Sequence, residues 1–250
     1  MISRILDKGL LIVAAVFALG LSASGQCSNA SLAGKYGFSA GGLDKHGNPI
    51  RLLGYINANG KGTFTGTETA SDDGSVFKNV PLTGTYSIKS DCTGSGTSKL
   101  KGQNTNHFNL VVVSGGKSLQ FLSTDAPNVQ SGTVQAQGKA TCTVAGLKGN
   151  FGIEANGLFV GVGAVALDGL FALDGKGNVS GTESGSIAGS IFTGQAVSGT
   201  YTVAANCTGT LTFTVLGQTE HSSFVVTNGG KGMLVIETDA TTVVSGFGQQ

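Results

Sequence analysis

Two glutamates and two tyrosines recur at equivalent positions of the chain, and they are the best candidates for chemistry. Glu68 is in phase with Phe64, and Tyr86 is in phase with its aliphatic neighbours, so both should point to the inner face of their strands. Glu183 and Tyr201 repeat this arrangement. A carboxyl near a core needs a partner or a wet cavity, so we predict a ligand-binding Glu–Tyr pair at the mouth of each folded unit. The alternative is structural, with each glutamate reaching solvent and each tyrosine hydroxyl at the rim.

A second pattern is typical of hydrolases. The string Gly37-Phe-Ser39-Ala-Gly41 matches a nucleophile elbow, in which a strand-to-helix turn presents the serine. No helical pattern follows it, and Glu154 stands in place of Ser39 in the second half of the chain. A chain so rich in glycine and serine produces such strings by chance, so we predict no catalytic residue here.

The histidines His107 and His221 also occupy equivalent positions, where they could bind a metal or act as bases. Their strand phase is opposite to that of the nearby Phe108 and Phe224. If the phenylalanines face the core, the histidines face water. We therefore predict no metal site and no cofactor.

These residues recur because the second half of the chain repeats the first. From Cys27 and Cys142 onward the halves stay in register, apart from one residue lost after Gln103. Matching stretches include Gly60-Lys61-Gly62 with Gly175-Lys176-Gly177, Gly84-Thr85-Tyr86 with Gly199-Thr200-Tyr201, and Thr124-Asp125 with Thr238-Asp239. We predict two domains of similar size, 26–138 and 142–250.

The four cysteines fit this division. Four cysteines allow three pairings, but the same spacing separates Cys27 from Cys92 and Cys142 from Cys207. Equal spacing favours one disulfide within each domain. A thiolate metal site is the alternative, and the chain has no Cys-x-x-Cys pair to support it.

Within each repeat, polar and apolar residues alternate between clusters of glycine, asparagine and aspartate, as in short β-strands. The pairs Asn59-Gly60 and Asp174-Gly175 predict hairpin turns in which both residues have positive φ. The first repeat has about eight strands, with predicted starts near Lys35, Arg51, Gly62, Phe77, Gly94, Asn106, Ser118 and Val129. Because tight turns join the strands, we predict an all-β fold of two tandem antiparallel β-barrels, with β-sandwiches as the alternative.

Residues 1–25 predict a secretory signal peptide. Arg4 and Lys8 precede an apolar run over 10–21, which small residues follow. We expect cleavage next to Gln26 and export to the periplasm, the cell surface or the medium. No later segment has the roughly 18 continuous apolar residues of a membrane span, so none is predicted in the mature chain.

Composition limits the partners. Only 12% of the residues are charged and the formal net charge is +1, which excludes an electrostatic nucleic-acid binder. The chain has 42 glycines among 250 residues, which favours turns and weakens helices. With 40% hydrophobic residues it can still bury a core.

Several motifs carry a resemblance to known proteins. They are Cys27-Ser28, Leu32-x-Gly34-x-Tyr36-Gly37-Phe38, Gly84-Thr85-Tyr86, Asp91-Cys92-Thr93-Gly94, Thr124-Asp125 and Ser131-Gly132. Together they resemble a group of small proteins exported by environmental bacteria, and the second copy departs from the pattern at Phe151. The resemblance implies export and a β-fold, and it lends no chemistry. The order of glycine-rich strands is also similar to allene oxide cyclase barrels, which is an analogy of fold alone.

The sequence therefore predicts an exported, non-enzymatic tandem barrel protein that binds a small molecule or a surface partner. One alternative is a barrel-cavity enzyme of isomerase or cyclase type, with Glu68, Tyr86 and their copies as acid and base. The other is a structural matrix protein that assembles through exposed strand edges.

Overall fold

Each repeat folds into a closed barrel of antiparallel strands. The computed structural model describes residues 26–139 and 141–250, and the predicted signal peptide lies outside the described residues. In each barrel the strands pair in sequence order and the last strand closes on the first. The prediction of two tandem eight-stranded barrels is confirmed. The sandwich alternative is wrong, because each sheet closes on itself.

The strands begin close to the predicted positions. The first barrel contains β1 (Ala33–Leu43), β2 (Pro49–Asn59), β3 (Thr63–Asp72), β4 (Ser75–Ile88), β5 (Thr93–Leu100), β6 (Thr105–Val113), β7 (Ser118–Ser123) and β8 (Val129–Ala136). The second contains β9 (Lys148–Phe159), β10 (Gly163–Asp174), β11 (Asn178–Ile187), β12 (Ser190–Val203), β13 (Thr208–Val215), β14 (Gln218–Thr227), β15 (Gly232–Glu237) and β16 (Thr242–Gln249). Short 3₁₀ turns lie at Asn29–Ser31, Ser114–Gly116, Val144–Gly146 and Asn228–Gly230. In the described ranges, no helix has the length and apolar character needed to span a membrane.

One end of each barrel is fastened by the chain that enters it, and we call this the stapled end. The disulfide Cys27–Cys92 joins the entering chain of the first barrel to the loop after β4. Cys142–Cys207 joins the same elements of the second barrel, after β12. Both predicted pairings are confirmed. Disulfides of this kind are typical of oxidising compartments.

The hairpin turns at Asn59 and Asp174 lie where the sequence predicts, but their backbone differs. In each pair only the glycine, Gly60 or Gly175, has positive φ. The asparagine or aspartate stays extended, and its side-chain Oδ1 accepts a 2.7 Å hydrogen bond from the backbone N–H two residues on. The polar residue therefore caps the turn through its side chain and has no need of a left-handed conformation.

Inside the first barrel, phenylalanine rings lie over glycines of the neighbouring strand. These cross-strand pairs are Phe38 with Gly54, Phe64 with Gly84, Phe108 with Gly96, and Phe121 with Gly132. A Cβ on any of these glycines would stand 2.2 to 2.7 Å from a ring atom. Carbon atoms do not pack that closely, so glycine is what lets each ring lie along the wall.

The barrels pack side against side along a shared apolar seam. Its buried cluster consists of Leu53, Val225, Leu234 and Ile236. Beside it, the Ser71 hydroxyl donates to the Thr242 carbonyl, and the Gln137 Nε2 donates to the Asn206 carbonyl at 3.0 Å. The wall of the first barrel at β2 and β3 is therefore supported from outside by the second barrel.

Candidate functional site

The first barrel encloses a cavity of about 570 Å³. Leu32 and Tyr86 line its floor at the stapled end. Loops at the opposite end, which we call the mouth, surround the entrance between β1 and β2, β5 and β6, and β7 and β8. Most of the wall is aliphatic or aromatic. A concave site of this volume and lining is typical of small-molecule binding.

Glu68 is the one carboxyl that lines the described part of this cavity below the mouth. The residue lies midway along β3, is 9% exposed and receives no hydrogen bond from the described chain. Burial raises the pKa of its carboxyl to about 7, because the carboxylate loses hydration inside the barrel. Near neutral pH, Glu68 can therefore present either a proton or a negative charge to a ligand.

A β-bulge positions Glu68. The pairing of β3 with β4 shifts register after Glu68, and Asn79 opposite the shift has a φ of 56°. The Asn79 N–H donates to the Thr69 hydroxyl at 3.2 Å. The second barrel repeats the shift after Glu183, where Gly194 has a φ of 58°. Bulges re-aim side chains and are common beside functional sites.

Carboxylates dominate the mouth of the first barrel. Asp44, Asp72 and Asp125 line it, together with Lys45 and His107. Oδ1 of Asp72 is buried without a hydrogen-bond partner, and burial, followed by repulsion from Asp44, raises the pKa of Asp72. Asp125 accepts a hydrogen bond at Oδ2 from the His107 N–H (2.6 Å), and its Oδ1 lies 2.9 Å from His107 Nδ1. The entrance therefore carries an excess of negative charge.

The tyrosines do not pair with the glutamates, so the predicted Glu–Tyr pairs are wrong. The Tyr86 hydroxyl donates to the Leu32 carbonyl at 2.8 Å, and the Tyr201 hydroxyl donates to the Leu147 carbonyl at 2.7 Å. Both rings are buried, as strand phase predicts. Their hydroxyls, however, lie at the stapled end and fasten the entering chain, whereas Glu68 lies midway along its barrel.

The second barrel has almost no free interior. Its cavity measures about 40 Å³, which is room for a water molecule or two. Leu211 and Phe213 of β13 fill the space at the positions equivalent to Gly96 and Ser98. The ring of Phe213 packs edge-on against Phe171, with 5.5 Å between ring centroids. The two repeats therefore share a fold, but the cavity of the first barrel is of ligand size whereas that of the second is not.

Three glutamates, Glu183, Glu220 and Glu237, line the small space left in the second barrel. Burial, followed by repulsion from Glu220, raises the pKa of Glu183 to about 7 and that of Glu237 to about 8. Oε2 of Glu237 is buried without a partner. Within residues 26–139 and 141–250, no three histidine, cysteine, aspartate or glutamate side chains are placed to hold a metal ion.

His107 is part of the lining of the first cavity, whereas His221 and Ser39 are not among the residues that line either cavity. His107 and His221 are 58% and 50% exposed, and each ring pairs with an aspartate, Asp125 or Asp239, at 2.9 or 2.8 Å. This duplicated His–Asp pair was not predicted, although the repeated Thr-Asp dipeptides were its signal. Ser39 lies within β1, where no strand-to-helix turn exists to present a nucleophile.

Comparison with known proteins leaves the function open. No family model matches the chain, and no curated protein matches it. A solved structure that matches is kievitone hydratase from Nectria haematococca, at 9% identity and a TM-score of 0.29, over 92% of this chain and 93% of that one. A likeness this low carries no argument about this chain. The resemblances drawn from sequence motifs stay predictions.

Proposed function

We propose that this protein is an exported, non-enzymatic binding protein whose first barrel takes up a small, largely apolar molecule. One observation carries the proposal: equivalent barrels enclose about 570 Å³ in the first repeat and about 40 Å³ in the second. A barrel of this strand number can pack its interior fully, as the second one does, or hold one small ligand. The open interior of the first barrel favours a ligand.

The lining favours a ligand with an apolar body and one polar group. Phe38, Phe64 and Leu82 are among the side chains that would contact the body. Glu68 would meet the polar group, because it is the carboxyl that lies deep in the described wall. The second barrel supports this site from outside through the seam at Leu53.

Binding fits this interior better than acid–base catalysis. Proton transfer on a substrate usually needs an acid and a base that both reach the reacting atoms. The Tyr86 hydroxyl, which the sequence offered as partner to Glu68, is engaged by the Leu32 carbonyl. Assembly as a matrix through strand edges has no support either, because both described sheets are closed.

A cavity enzyme of isomerase or cyclase type is the second candidate, and one observation favours it. The pKa of Glu68, raised by burial to about 7, suits a carboxyl that shuttles one proton near neutral pH. Conversion of a bound molecule by the wild type, with binding but no conversion in Glu68→Gln, would favour this candidate over simple binding.

Export is part of the proposal. The basic and apolar character of residues 1–25 and the two disulfides both support passage into an oxidising compartment.

The cavity can be tested with phenylnaphthylamine, a neutral probe that fluoresces in apolar surroundings. Ser98→Phe places in the first barrel the ring that fills the second barrel at Phe213, so we expect the fluorescence gain to be lost. Ser95→Phe on the outer face of the same strand is the matched control and should keep the gain. Full fluorescence in a folded Ser98→Phe variant would contradict the proposal, and Ser98→Leu serves if the larger ring prevents folding.

A further inference from the structure

We propose that the molecule held in the first barrel is an apolar amine whose ammonium group pairs with the carboxylate of Glu68. This inference rests on the proposed function, because it requires that the cavity takes up a ligand. It adds the chemical class of that ligand, which the lining of the cavity and mouth indicates in three independent ways.

First, Glu68 is a buried carboxyl with no counter-ion. It is 9% exposed, and the two basic side chains of the described lining, Lys45 and His107, form neither a hydrogen bond nor an ion pair with it. Arg51 lies on β2, but its guanidinium donates to the Ile50 carbonyl and is not part of the lining. An unpaired charge is costly inside a protein, so a cationic ligand would complete an ion pair of which the fold supplies one half.

Second, the entrance favours cations. Three aspartates, Asp44, Asp72 and Asp125, line the mouth against two basic side chains of the described lining, Lys45 and His107. Oδ1 of Asp72 is buried with no donor, which leaves a second unfilled acceptor on the path to Glu68. A cleft lined by one sign of charge raises the local concentration of ions of the opposite sign.

Third, the wall suits the apolar body of such a ligand and tolerates its charge. The rings of Phe38, Phe64, Phe108 and Phe121 line the cavity. Aromatic rings attract organic cations through their negative faces while burying apolar surface. The cavity volume of about 570 Å³ has room for an alkyl or aryl body beside the ammonium group.

Anionic ligands fit poorly, because their charge would meet Glu68, which has no basic partner in the described chain to offset it. A neutral alcohol is the real competitor, since a protonated Glu68 could donate a hydrogen bond to it. The two classes differ in one respect: only the amine gains from the charge of the carboxylate.

Decylamine, decanol and decanoate share one alkyl chain and separate these classes when each displaces phenylnaphthylamine from the full exported protein. We expect decylamine to bind about tenfold or more tighter than decanol, and decanoate to bind weakest. Equal affinities for decylamine and decanol would overturn the amine inference and leave the binding function standing. If neither the probe nor any of the three compounds binds, the proposed function fails as well.

Glu68→Gln tests the carboxylate itself. The variant should lower decylamine affinity about tenfold or more and change decanol affinity by much less. Glu154→Gln, at an exposed glutamate of the second barrel, is the matched control and should leave both affinities unchanged. Undiminished decylamine binding by Glu68→Gln overturns the inference. If that variant does not fold, Glu68→Leu, which keeps the buried volume, provides the same comparison.

Discussion

Raising the pH from about 5 to about 8 should destabilise the second barrel, and Glu237→Gln should remove much of that loss. The pKa of Glu237 is about 8 in the folded protein, against 4.5 for an ordinary glutamate. Burial is the first cause, and repulsion from Glu220, Asp239 and Glu183 adds to it. No cation is among these causes, so the charged form of Glu237 is disfavoured by all of its described surroundings.

The sign follows from proton linkage. Below about pH 4.5 the carboxyl is protonated in both states and costs nothing. Between that value and about pH 8 the unfolded chain releases its proton while the folded chain retains it, so the free energy of unfolding falls as pH rises. Each unit of pKa difference is worth about 1.4 kcal/mol, so the shift of Glu237 corresponds to a total loss on the order of 5 kcal/mol, of which about 3 to 4 kcal/mol falls between pH 5 and pH 8. Above about pH 8 this group causes no further loss.

Thermal unfolding at the two pH values measures the effect. The loss of about 3 to 4 kcal/mol between these pH values lowers Tm by about 6 to 16 °C in a chain of this length. The wild type and Glu154→Gln should show the full decrease, whereas Glu237→Gln should show a clearly smaller one, because glutamine has no proton to lose. If the wild type and Glu237→Gln lose the same stability between the two pH values, the reasoning from burial is refuted.

Two further predictions concern the stapled end and the leader. Tyr201→Phe removes the hydroxyl that donates to the Leu147 carbonyl, and it should lower the free energy of unfolding by about 1 to 3 kcal/mol, measured in urea. Probe binding in the first barrel should stay the same. A loss of probe binding without a loss of stability would contradict the structural role given to the Tyr201 hydroxyl. Expression of the full chain in a bacterial host should yield exported protein that begins near Gln26 by intact mass, and a product that retains residues 1–25 would speak against the signal peptide.

The alternation of inward and outward side chains predicted much of the fold and which candidate site residues point into the barrels, but it did not predict their hydrogen-bond partners. Alternation placed Glu68 and Tyr86 on inner faces, and the duplicated cysteine spacing paired Cys27 with Cys92, because both arguments depend on local geometry and on the internal repeat. The partner of the Tyr86 hydroxyl was not predictable in this way. Leu32 lies 54 residues from Tyr86 in sequence, and the contact between them depends on how the whole barrel is arranged around the entering chain.

The bulge was missed, and the difference in volume between the two barrel interiors was not predicted, for different reasons. Asn79 and the equivalent Gly194 are turn-forming residues inside long strands. An argument from alternation assumes that every strand residue pairs with one residue opposite, so it does not detect a bulge. The difference between Ser98 and Phe213 could be read from the aligned repeats. The effect of this difference on the cavity volume could not be predicted, because the space inside a barrel depends on how side chains from all eight strands meet across it.

The phenylalanine rings that lie over glycines in the first barrel keep its lumen open, because each ring lies along the wall. A Cβ on Gly54 or Gly132 would meet the covering ring and also a backbone carbonyl of the paired strand, at 2.2 or 2.4 Å, so these glycines hold both the ring and the strand in place. The side chains at the remaining inward positions therefore set the lumen width, and strand number fixes only its upper limit. Two duplicated copies of this barrel can therefore diverge by a few side-chain substitutions, one keeping a ligand-sized cavity and the other a packed interior, without any change of topology.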